Sequence, residues 1–177
     1  MLDLASLPSF DASGHLRVVV EAPRGARVKL AYDAELRAFV FQRELALGMS
    51  YPYDWGFVPS TRAEDGDPLD AMVLLDGATW PGTIIPCIPI GIVRIAQRRP
   101  GGRKEERNDR IIAVAVEHPR YTSIEEIPRR LRDQLVEFFL ATGRLTGKTV
   151  SARGWGGPAA ALRAVRQAAE RFARQQG

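Results

Sequence analysis

The sequence has 177 residues, 45% of them hydrophobic, which is enough apolar material for one domain with a buried core. No run approaches the roughly 18 consecutive apolar residues of a membrane-spanning helix, and residues 1–10 lack the basic and apolar blocks of a secretory signal. The single cysteine, Cys87, excludes a disulfide framework and a multi-cysteine zinc site. We therefore expect a cytoplasmic protein that forms one domain over residues 1–177.

The net charge of +4 is distributed unevenly along the chain. Residues 1–97 carry a net charge of −4, whereas residues 98–177 carry +8. This asymmetry would suit a site that holds cations on one wall and phosphates on the other, but solvated arginines on two terminal helices are by themselves the simpler and complete explanation. Only three of the 25 basic residues are lysines, so the skew toward arginine is typical of genome composition and does not by itself predict nucleic-acid binding.

Short β-branched and aromatic runs, separated by Pro, Gly and Asp, open the chain. They predict a meander of three strands at residues 17–20, 28–32 and 39–41. Residues 48–67 follow without a regular pattern and are rich in aromatic residues, Pro and Gly. Such a composition is too ordered for a linker, and the segment is too long for an idle loop, so we interpret it as a functional segment.

Further strands are predicted at residues 69–75, 84–95 and 111–116, with a short final strand at 149–152. The apolar residues between 127 and 140 recur with the period of an amphipathic helix, and a closing helix is predicted over 158–173, with Pro158 in its first turn. Many short strands followed by helices predict an α+β fold, a small closed OB-like β-barrel with two helices.

The heptapeptide at 65–71, Asp-Gly-Asp-Pro-Leu-Asp-Ala, carries the chemistry. Asp65, Asp67 and Asp70 repel one another, and a divalent cation would relieve that repulsion. Oxygen ligands without His or Cys favour Mg²⁺ or Mn²⁺ over zinc. The same spacing also occurs in plain acidic turns and in calcium loops, although Asp76 stands where an EF-hand loop starting at Asp65 would need its glutamate.

Residues 65–71 match, at every position, the signature of the family I soluble inorganic pyrophosphatases. Other segments resemble the family in the same order along the chain, among them Val-Val-Val-Glu-Ala-Pro at 18–23, Tyr-Pro-Tyr-Asp-Trp-Gly-Phe-Val-Pro at 51–59 and Ile-Ile-Ala-Val at 111–114. The resemblance covers residues 17–173. It implies the inorganic pyrophosphatase fold, metal-dependent hydrolysis of inorganic pyrophosphate to two phosphates, and a homo-oligomer, a hexamer in bacterial members.

The resemblance also implies roles for individual residues. Asp67 is expected to be the general base. The expected metal ligands are Asp65, Asp70, Asn108 and Asp109. The expected contacts to substrate phosphate come from Lys29, Arg43, Tyr51 and Arg110. Two further residues, Glu21 and Trp55, are expected to hold these groups in position without contacting the substrate themselves.

Several positions depart from the family pattern. Neutral residues replace family acids at Ala31, Gln97 and Asn108, although Asp109 is adjacent to the last of these. A lysine becomes Arg110, a tyrosine becomes Trp55, and the Tyr-Lys pair after the long helix falls on Thr142 and Gly143. The number of metal ions that the site holds is therefore left open.

Residues 98–110 form a basic insertion that contains Arg98, Arg99, Arg103, Lys104, Arg107 and Arg110. One hypothesis is that guanidinium groups replace part of the metal charge around the phosphates, because their planar forks bind phosphate oxygens in pairs. The alternative is a solvated hairpin tip, which Pro100-Gly101-Gly102 favours. The sequence leaves both open.

Three functions remain under consideration. The first is hydrolysis of pyrophosphate as a small-molecule phosphate substrate. The second is hydrolysis of another phosphoanhydride or a phosphate ester on the same fold, which the lost acids and the basic insertion favour. The third is non-catalytic phosphate or nucleotide binding, which the retained Asp67 argues against. The basic stretch lacks interleaved aromatic residues for base stacking, which argues against nucleic acid as a partner.

Overall fold

A computed structural model describes residues 3–176 of the chain. The strands are β1 (Leu16–Ala22), β2 (Val28–Asp33), β3 (Ala38–Glu44), β4 (Asp54–Val58), β5 (Leu69–Val73), β6 (Ile84–Arg98), β7 (Glu105–Arg107), β8 (Arg110–Ala115) and β9 (Thr149–Gly156), and the helices are α1 (Arg129–Arg144) and α2 (Pro158–Gln176). Neither helix has the length and apolar content needed to cross a membrane, as far as residues 3–176 are concerned.

Five strands close into a barrel in the order β1-β4-β5-β8-β6, and β6 returns to pair with β1. Val19 in β1 shows the closure, since it lies opposite Phe57 of β4 on one side and Ile84 of β6 on the other. Every pairing in the ring is antiparallel except that of β5 with β8, which is parallel. The predicted α+β fold with a small closed barrel and two helices is confirmed.

Strand β6 is 15 residues long and belongs to two parts of the fold. Its first residues close the barrel against β1, whereas its last seven, from Ile92 to Arg98, pair with β9. Register shifts between Pro89 and Gly91 and between Arg94 and Ile95 bend the strand as it leaves the barrel. The bend leads into β7 and β9, which both pair with the far end of β6.

The predicted three-stranded meander is wrong, because β2 and β3 form a separate hairpin. Both edges of β1 are already occupied by β4 and β6, so β1 has no free edge for β2. The segment at 48–67 also differs from the prediction, since it contains β4. All five residues of β4 are buried, so the strand lacks the alternation of apolar and polar residues that would have revealed it.

The sheet is covered by a helix on each face, which explains the apolar runs of β5, β6 and β8. Ile111 and Ala113 of β8 share one buried cluster with Val165 of α2. The alternate residues of β8 share a second cluster with α1, represented by Ile112 and Phe139. The predicted helices are therefore confirmed as the two layers that flank the sheet, with bounds that shift by a few residues.

Gly56 in β4 is a position where the neighbouring backbone leaves no room for a side chain. A Cβ atom there would lie 1.8 Å from the carbonyl oxygen of Val19. We expect Gly56→Ala to lower the free energy of unfolding by about 3 kcal/mol, measured by urea denaturation, because backbone must move to relieve the clash. Gly77→Ala is the matched control, since its Cβ would meet nothing within 4 Å. Equal stability of the two variants would contradict the prediction.

Candidate active site

The three aspartates lie where the chain enters β5. Asp65 and Asp67 are in the turn before the strand, and Asp70 is the second residue of the strand. Gly66 has a φ of 95°, a left-handed conformation that glycine adopts without strain and that allows the sharp reversal. The amide N–H of Asp67 donates to Oδ1 of Asp65 at 3.3 Å. The turn therefore brings three acidic side chains to the end of one barrel strand.

Asp70 is paired with a cation from the neighbouring strand. Because β5 and β8 run parallel with Ala71 opposite Ile111, the residues just before them, Asp70 and Arg110, are neighbours. Nη1 of Arg110 lies 3.1 Å from Oδ2 of Asp70, and the two side chains are 13% and 25% exposed, respectively. This pair is partly shielded from water, so it interacts more strongly than a surface ion pair.

The guanidinium of Arg110 is held from two further directions. It lies over the ring of Trp55, with Cζ 5.5 Å from the ring centroid, and it donates to the backbone and side-chain oxygens of Asn108. A cation over an indole face is stabilised by the ring quadrupole. Two departures from the family pattern, Trp55 and Arg110, are therefore in direct contact.

A small, strongly polar cleft of about 110 Å³ lies beside this pair. Eight of the predicted site residues line it: Lys29, Arg43, Tyr51, Trp55, Asp67, Asp70, Asn108 and Arg110. Lys29 and Arg43 come from opposite positions on the β2–β3 hairpin, which brings both cations to the cleft. We refer to this space as the charged cleft.

Asp65 lies beside the charged cleft rather than in its wall. Its Oδ2 accepts a hydrogen bond of 3.3 Å from the side-chain amide of Gln97, a residue that does line the cleft. Burial raises the pKa of Asp65, and the charges of Asp67 and Asp70 raise it further, against the lowering effects of the Asp67 N–H and Arg110. Asp65 is thus close enough to Asp67 and Asp70 for their charges to disfavour its ionised form.

The structure does not place Asp109 at the charged cleft, in contrast to the prediction. Its Oδ1 accepts from the amide N–H of Ile95 at 3.1 Å, and its Oδ2 pairs with Nη2 of Arg107 at 2.5 Å. It lines a separate depression of about 40 Å³ that also includes Glu64. Successive residues of an extended chain point to opposite sides, so Asn108 and Arg110 face the cleft while Asp109 faces away.

Glu21 lies at the end of β1, behind the acidic turn. Its side chain is buried, and Oε1 accepts a 2.8 Å hydrogen bond from the amide N–H of Tyr32. Burial raises the pKa of Glu21 to about 7, and the charges of Asp70 and Asp67 add to the shift, whereas the Tyr32 hydrogen bond and Lys29 oppose it. This carboxyl group therefore keeps its proton to a higher pH than an ordinary glutamate does.

Glu21 lines a second and larger space of about 740 Å³. Lys29, Asp67 and Asp70 line both this space and the charged cleft, so the two adjoin at these three residues. Ala31, one of the neutral replacements, is also in the wall of the larger space. We refer to it as the large cavity.

The basic insertion forms the β6–β7 hairpin and points mostly into solvent. Arg98, Arg99, Arg103 and Lys104 are exposed, and Arg99 pairs with Glu106 at 3.6 Å. Of the six basic residues noted in the sequence, Arg110 is the one that lines the charged cleft. The solvated-tip interpretation therefore describes residues 98–104, and only Arg110 has the position that the guanidinium hypothesis requires.

Lys148 is a cleft residue that the sequence did not single out. It follows Gly147, whose φ of 72° turns the chain between α1 and β9, and its Nζ lies 3.5 Å from Oε1 of Gln97. Thr142 and Gly143, which stand at the family's Tyr-Lys pair, line the same cleft. The available signal was the rarity of lysine in this arginine-rich chain, where Lys148 is one of three.

Residues 3–176 contain no group of three or more His, Cys, Asp or Glu side chains arranged to hold a metal ion. This does not conflict with Mg²⁺, which usually keeps several waters and takes one or two carboxylates together with substrate phosphates. The donors near the cleft are carboxylate and amide oxygens, and the raised pKa values of Glu21 and Asp65, caused by burial and neighbouring acids, mark unrelieved negative charge. The residues therefore fit a hard divalent cation bound jointly with an anionic ligand.

Comparisons with known proteins agree on one family. Residues 18–173 match the family described as "Inorganic pyrophosphatase". The inorganic pyrophosphatase of Synechocystis sp. is 36% identical over 157 residues, which cover 87% of this chain and 89% of the relative. That of Haloferax volcanii is 35% identical and covers 92% of this chain and 90% of the relative. The crystal structure of inorganic pyrophosphatase from Thermus thermophilus superposes with a TM-score of 0.85 at 32% identity, covering 97% of this chain and 99% of that one.

The placement of the arginines predicts a difference in anion binding. Arg110→Met should weaken the binding of inorganic phosphate by about tenfold or more, because a charge-assisted contact in the charged cleft is lost. Arg103→Met, at the exposed hairpin tip, should leave the affinity unchanged. Isothermal titration calorimetry with phosphate would measure both. Equal losses in the two variants would contradict the assignment.

Glu21 predicts a pH dependence of stability. The folded-state pKa of Glu21 is about 7, against an ordinary value of 4.5, so well below pH 4.5 the group is protonated in both states and has no effect on stability. As pH rises from 4.5 to about 7, Glu21 loses its proton in the unfolded state before it does so in the folded state. The folded wild type therefore loses stability over this pH range. Without divalent cations, Glu21→Gln should therefore be more stable than wild type at pH 8, by about 3 kcal/mol, with no such gain at pH 4.

Urea denaturation at the two pH values measures this difference. Glutamine keeps a carbonyl oxygen for the N–H of Tyr32, so the variant removes the ionisation and retains the hydrogen bond. A stability difference that is the same at pH 4 and pH 8 would show that Glu21 is not the group responsible.

Proposed function

Because this chain belongs to the inorganic pyrophosphatase family, we propose that it hydrolyses inorganic pyrophosphate to two phosphates in the charged cleft, with Asp67 as the general base. The observation that carries the proposal is the convergence of eight expected site residues, from five different strands and their connections, on one cleft of about 110 Å³. A space of this size and charge suits a compact polyanion. It offers little to an uncharged ligand.

The cationic side chains of the charged cleft would bind the substrate. Lys29, Arg43, Arg110 and Lys148 surround the space and would neutralise the non-bridging oxygens of pyrophosphate. The planar guanidinium groups of the two arginines suit paired phosphate oxygens. Burial raises the pKa of Tyr51, so its hydroxyl keeps the proton and is available as a hydrogen-bond donor.

Asp67 is the carboxylate that is free to take a proton. Asp65 is engaged by Gln97 and Asp70 by Arg110, whereas the side chain of Asp67 has no hydrogen-bond or ion-pair partner within residues 3–176. It is exposed to water and lines both the charged cleft and the large cavity. In the proposed mechanism Asp67 removes a proton from water, the water oxygen attacks one phosphorus, and the bond from that phosphorus to the bridging oxygen breaks.

The family is metal-dependent, and we propose Mg²⁺ as the ion, with Mn²⁺ as an alternative. Asp65 and Asp70 would hold it, with the amide oxygen of Asn108 within the same wall; Asp109 is left out because it faces away. When bound, the cation supplies positive charge against the phosphate oxygens and acidifies water. The carboxylates of Glu21 and Asp67 add negative charge around the same position, which favours a cation there.

We extend the proposal to a single-domain, cytoplasmic enzyme that assembles as a homo-oligomer, a hexamer if it follows the bacterial pattern. Four large apolar side chains, Leu36, Phe41, Leu47 and Trp80, are exposed by 59–96% and would be available for contacts between subunits.

The mechanism predicts that Asp67→Asn lowers kcat for pyrophosphate by about 10²–10⁴-fold, the usual contribution of a positioned general base. Folding should survive, because Asn is nearly isosteric and the repulsion within the acidic turn falls. A phosphate-release assay with Mg²⁺ measures the rate, and calorimetric Mg²⁺ binding should be kept in Asp67→Asn but lost in Asp70→Asn.

Asp76→Asn serves as the matched control, since Asp76 is an exposed carboxylate that pairs with Arg120 outside the site. Its activity should equal that of wild type. Full activity in Asp67→Asn would refute the assignment of the base, and a wild type that releases no phosphate from pyrophosphate would refute the proposed function.

A further inference from the structure

We propose that Arg110 competes with the divalent cation for Asp70, and that Arg110 turns to the phosphate in the charged cleft when the cation displaces it. Cation and phosphate then each strengthen the binding of the other. The inference rests on the proposed function, since it concerns the same cleft and the same cation. It goes beyond that function because it assigns to one side chain the coupling between the two ligands.

Asp70 differs from the other two acids of the turn in having a cation of the protein as its partner. Asp65 accepts a hydrogen bond from a neutral amide, and the side chain of Asp67 has no hydrogen-bond or ion-pair partner within residues 3–176. In contrast, Oδ2 of Asp70 lies 3.1 Å from Nη1 of Arg110, and both side chains are largely shielded from water. The attraction within such a pair exceeds that of a surface ion pair. A cation that binds Asp70 therefore has to overcome it.

Arg110 and a divalent cation interfere with each other at Asp70. The two oxygens of one carboxylate are close together, so a cation on either of them lies within a few ångströms of a guanidinium that is paired with Asp70. Two positive charges at such a separation repel each other strongly where little water screens them. Arg110 therefore lowers the affinity of Asp70 for a cation, and a bound cation weakens the attraction of Asp70 for Arg110.

The guanidinium of Arg110 has unused donors that phosphate can accept from. Within residues 3–176 its ion pair and its hydrogen bonds all go through Nη1, to Asp70, Asn108 and the backbone of Asp109. Its Nε is buried and has no hydrogen-bond partner in that part of the chain. An unpaired buried N–H is costly, and a guanidinium offers paired N–H groups that match two oxygens of one phosphate. Arg110 therefore gains hydrogen bonds when it turns from Asp70 to phosphate.

Trp55 supports Arg110 in a way that permits this change of partner. The Cζ atom of Arg110 lies 5.5 Å from the centroid of the Trp55 ring, and Trp55 is itself buried and packs against Phe139. The attraction between a cation and the face of a ring acts on the charge as a whole, so it does not fix how the guanidinium is rotated within its own plane. Trp55 therefore keeps the guanidinium beside the cleft while its partner changes.

The exchange of partners couples the two ligands. A cation at Asp70 releases Arg110 for phosphate, and phosphate at Arg110 releases Asp70 for the cation. The factor by which each ligand raises the affinity for the other is the same in both directions. Loss of either ligand returns Arg110 to Asp70 and weakens the binding of the other, so cation and phosphate enter and leave the site together.

The test measures Mg²⁺ affinity by isothermal titration calorimetry, without phosphate and with saturating inorganic phosphate, in wild type, Arg110→Met and Arg43→Met. Arg43 is the matched control because it lines the same cleft with the same charge, but its hydrogen bond of 3.4 Å goes to the backbone oxygen of Thr142 and not to an acid. Without phosphate, Arg110→Met should bind Mg²⁺ about fivefold more tightly than wild type or better, since the competitor for Asp70 is gone. Arg43→Met should change this affinity by less than about twofold at physiological ionic strength, where separated charges are screened.

The effect of phosphate on the Mg²⁺ affinity is the second quantity measured. In wild type and in Arg43→Met, saturating phosphate should raise the Mg²⁺ affinity by about tenfold or more. In Arg110→Met that factor should be about fivefold smaller, because the direct attraction between cation and phosphate remains but the exchange of Arg110 does not.

Tighter Mg²⁺ binding after the loss of a cleft residue is a result that a merely structural role would not give, since a damaged site binds both ligands more weakly. Unchanged or weaker Mg²⁺ binding in Arg110→Met, the same gain in Arg43→Met, or an equal effect of phosphate in wild type and Arg110→Met overturns the inference. If Arg110→Met does not fold, Arg110→Gln is judged by the same outcomes.

The titrations are independent of hydrolysis, so they separate this inference from the proposed function. An active wild type whose variants fail these titrations overturns the inference alone. A wild type that releases no phosphate from pyrophosphate, but whose variants show the expected affinities, overturns the proposed function and supports the coupling through Arg110.

Discussion

Repulsion between carboxylates is the constraint on which the site depends. Glu21, Asp65, Asp67 and Asp70 lie close enough that the charges of Asp67 and Asp70 add to the burial that raises the pKa of Glu21 and Asp65. A folded chain tolerates such a cluster only if positive charge is supplied nearby. Here part of that charge is built into the protein, as Arg110 against Asp70 and Lys29 beside Glu21.

The barrel provides these cations through strand pairing. The parallel pairing of β5 with β8 sets Arg110 next to Asp70, and the β2–β3 hairpin presents Lys29 opposite Arg43. Closure of the barrel leaves β2 and β3 outside the ring, where their hairpin contributes residues to both the charged cleft and the large cavity. The pairing of the strands therefore places the cations that offset the repulsion within the acidic turn.

The neutral residues that stand at positions of family acids also take part in the charge balance of the site. Gln97 donates to Asp65 and accepts from Lys148, and Asn108 accepts from Arg110, so both amides connect an acid or a cation to the cleft. Trp55 supports Arg110 through its ring face. Fewer acids and a fixed guanidinium reduce the positive charge that ions must bring.

The sequence by itself determined most of the strands, both helices and the acidic turn. The Asp65–Asp67–Asp70 turn and the two amphipathic helices were predictable, because a short motif and side-chain periodicity are local properties. The expectation of the eight residues that line the charged cleft came from the family resemblance. Only the tertiary structure decided that Asp109 faces away while Asn108 and Arg110 face the cleft, that Lys148 joins it, and that β2 and β3 leave the ring. Those outcomes depend on strand register, on which edges are already paired and on which side of a strand each residue takes, and these follow from contacts between segments far apart in the chain.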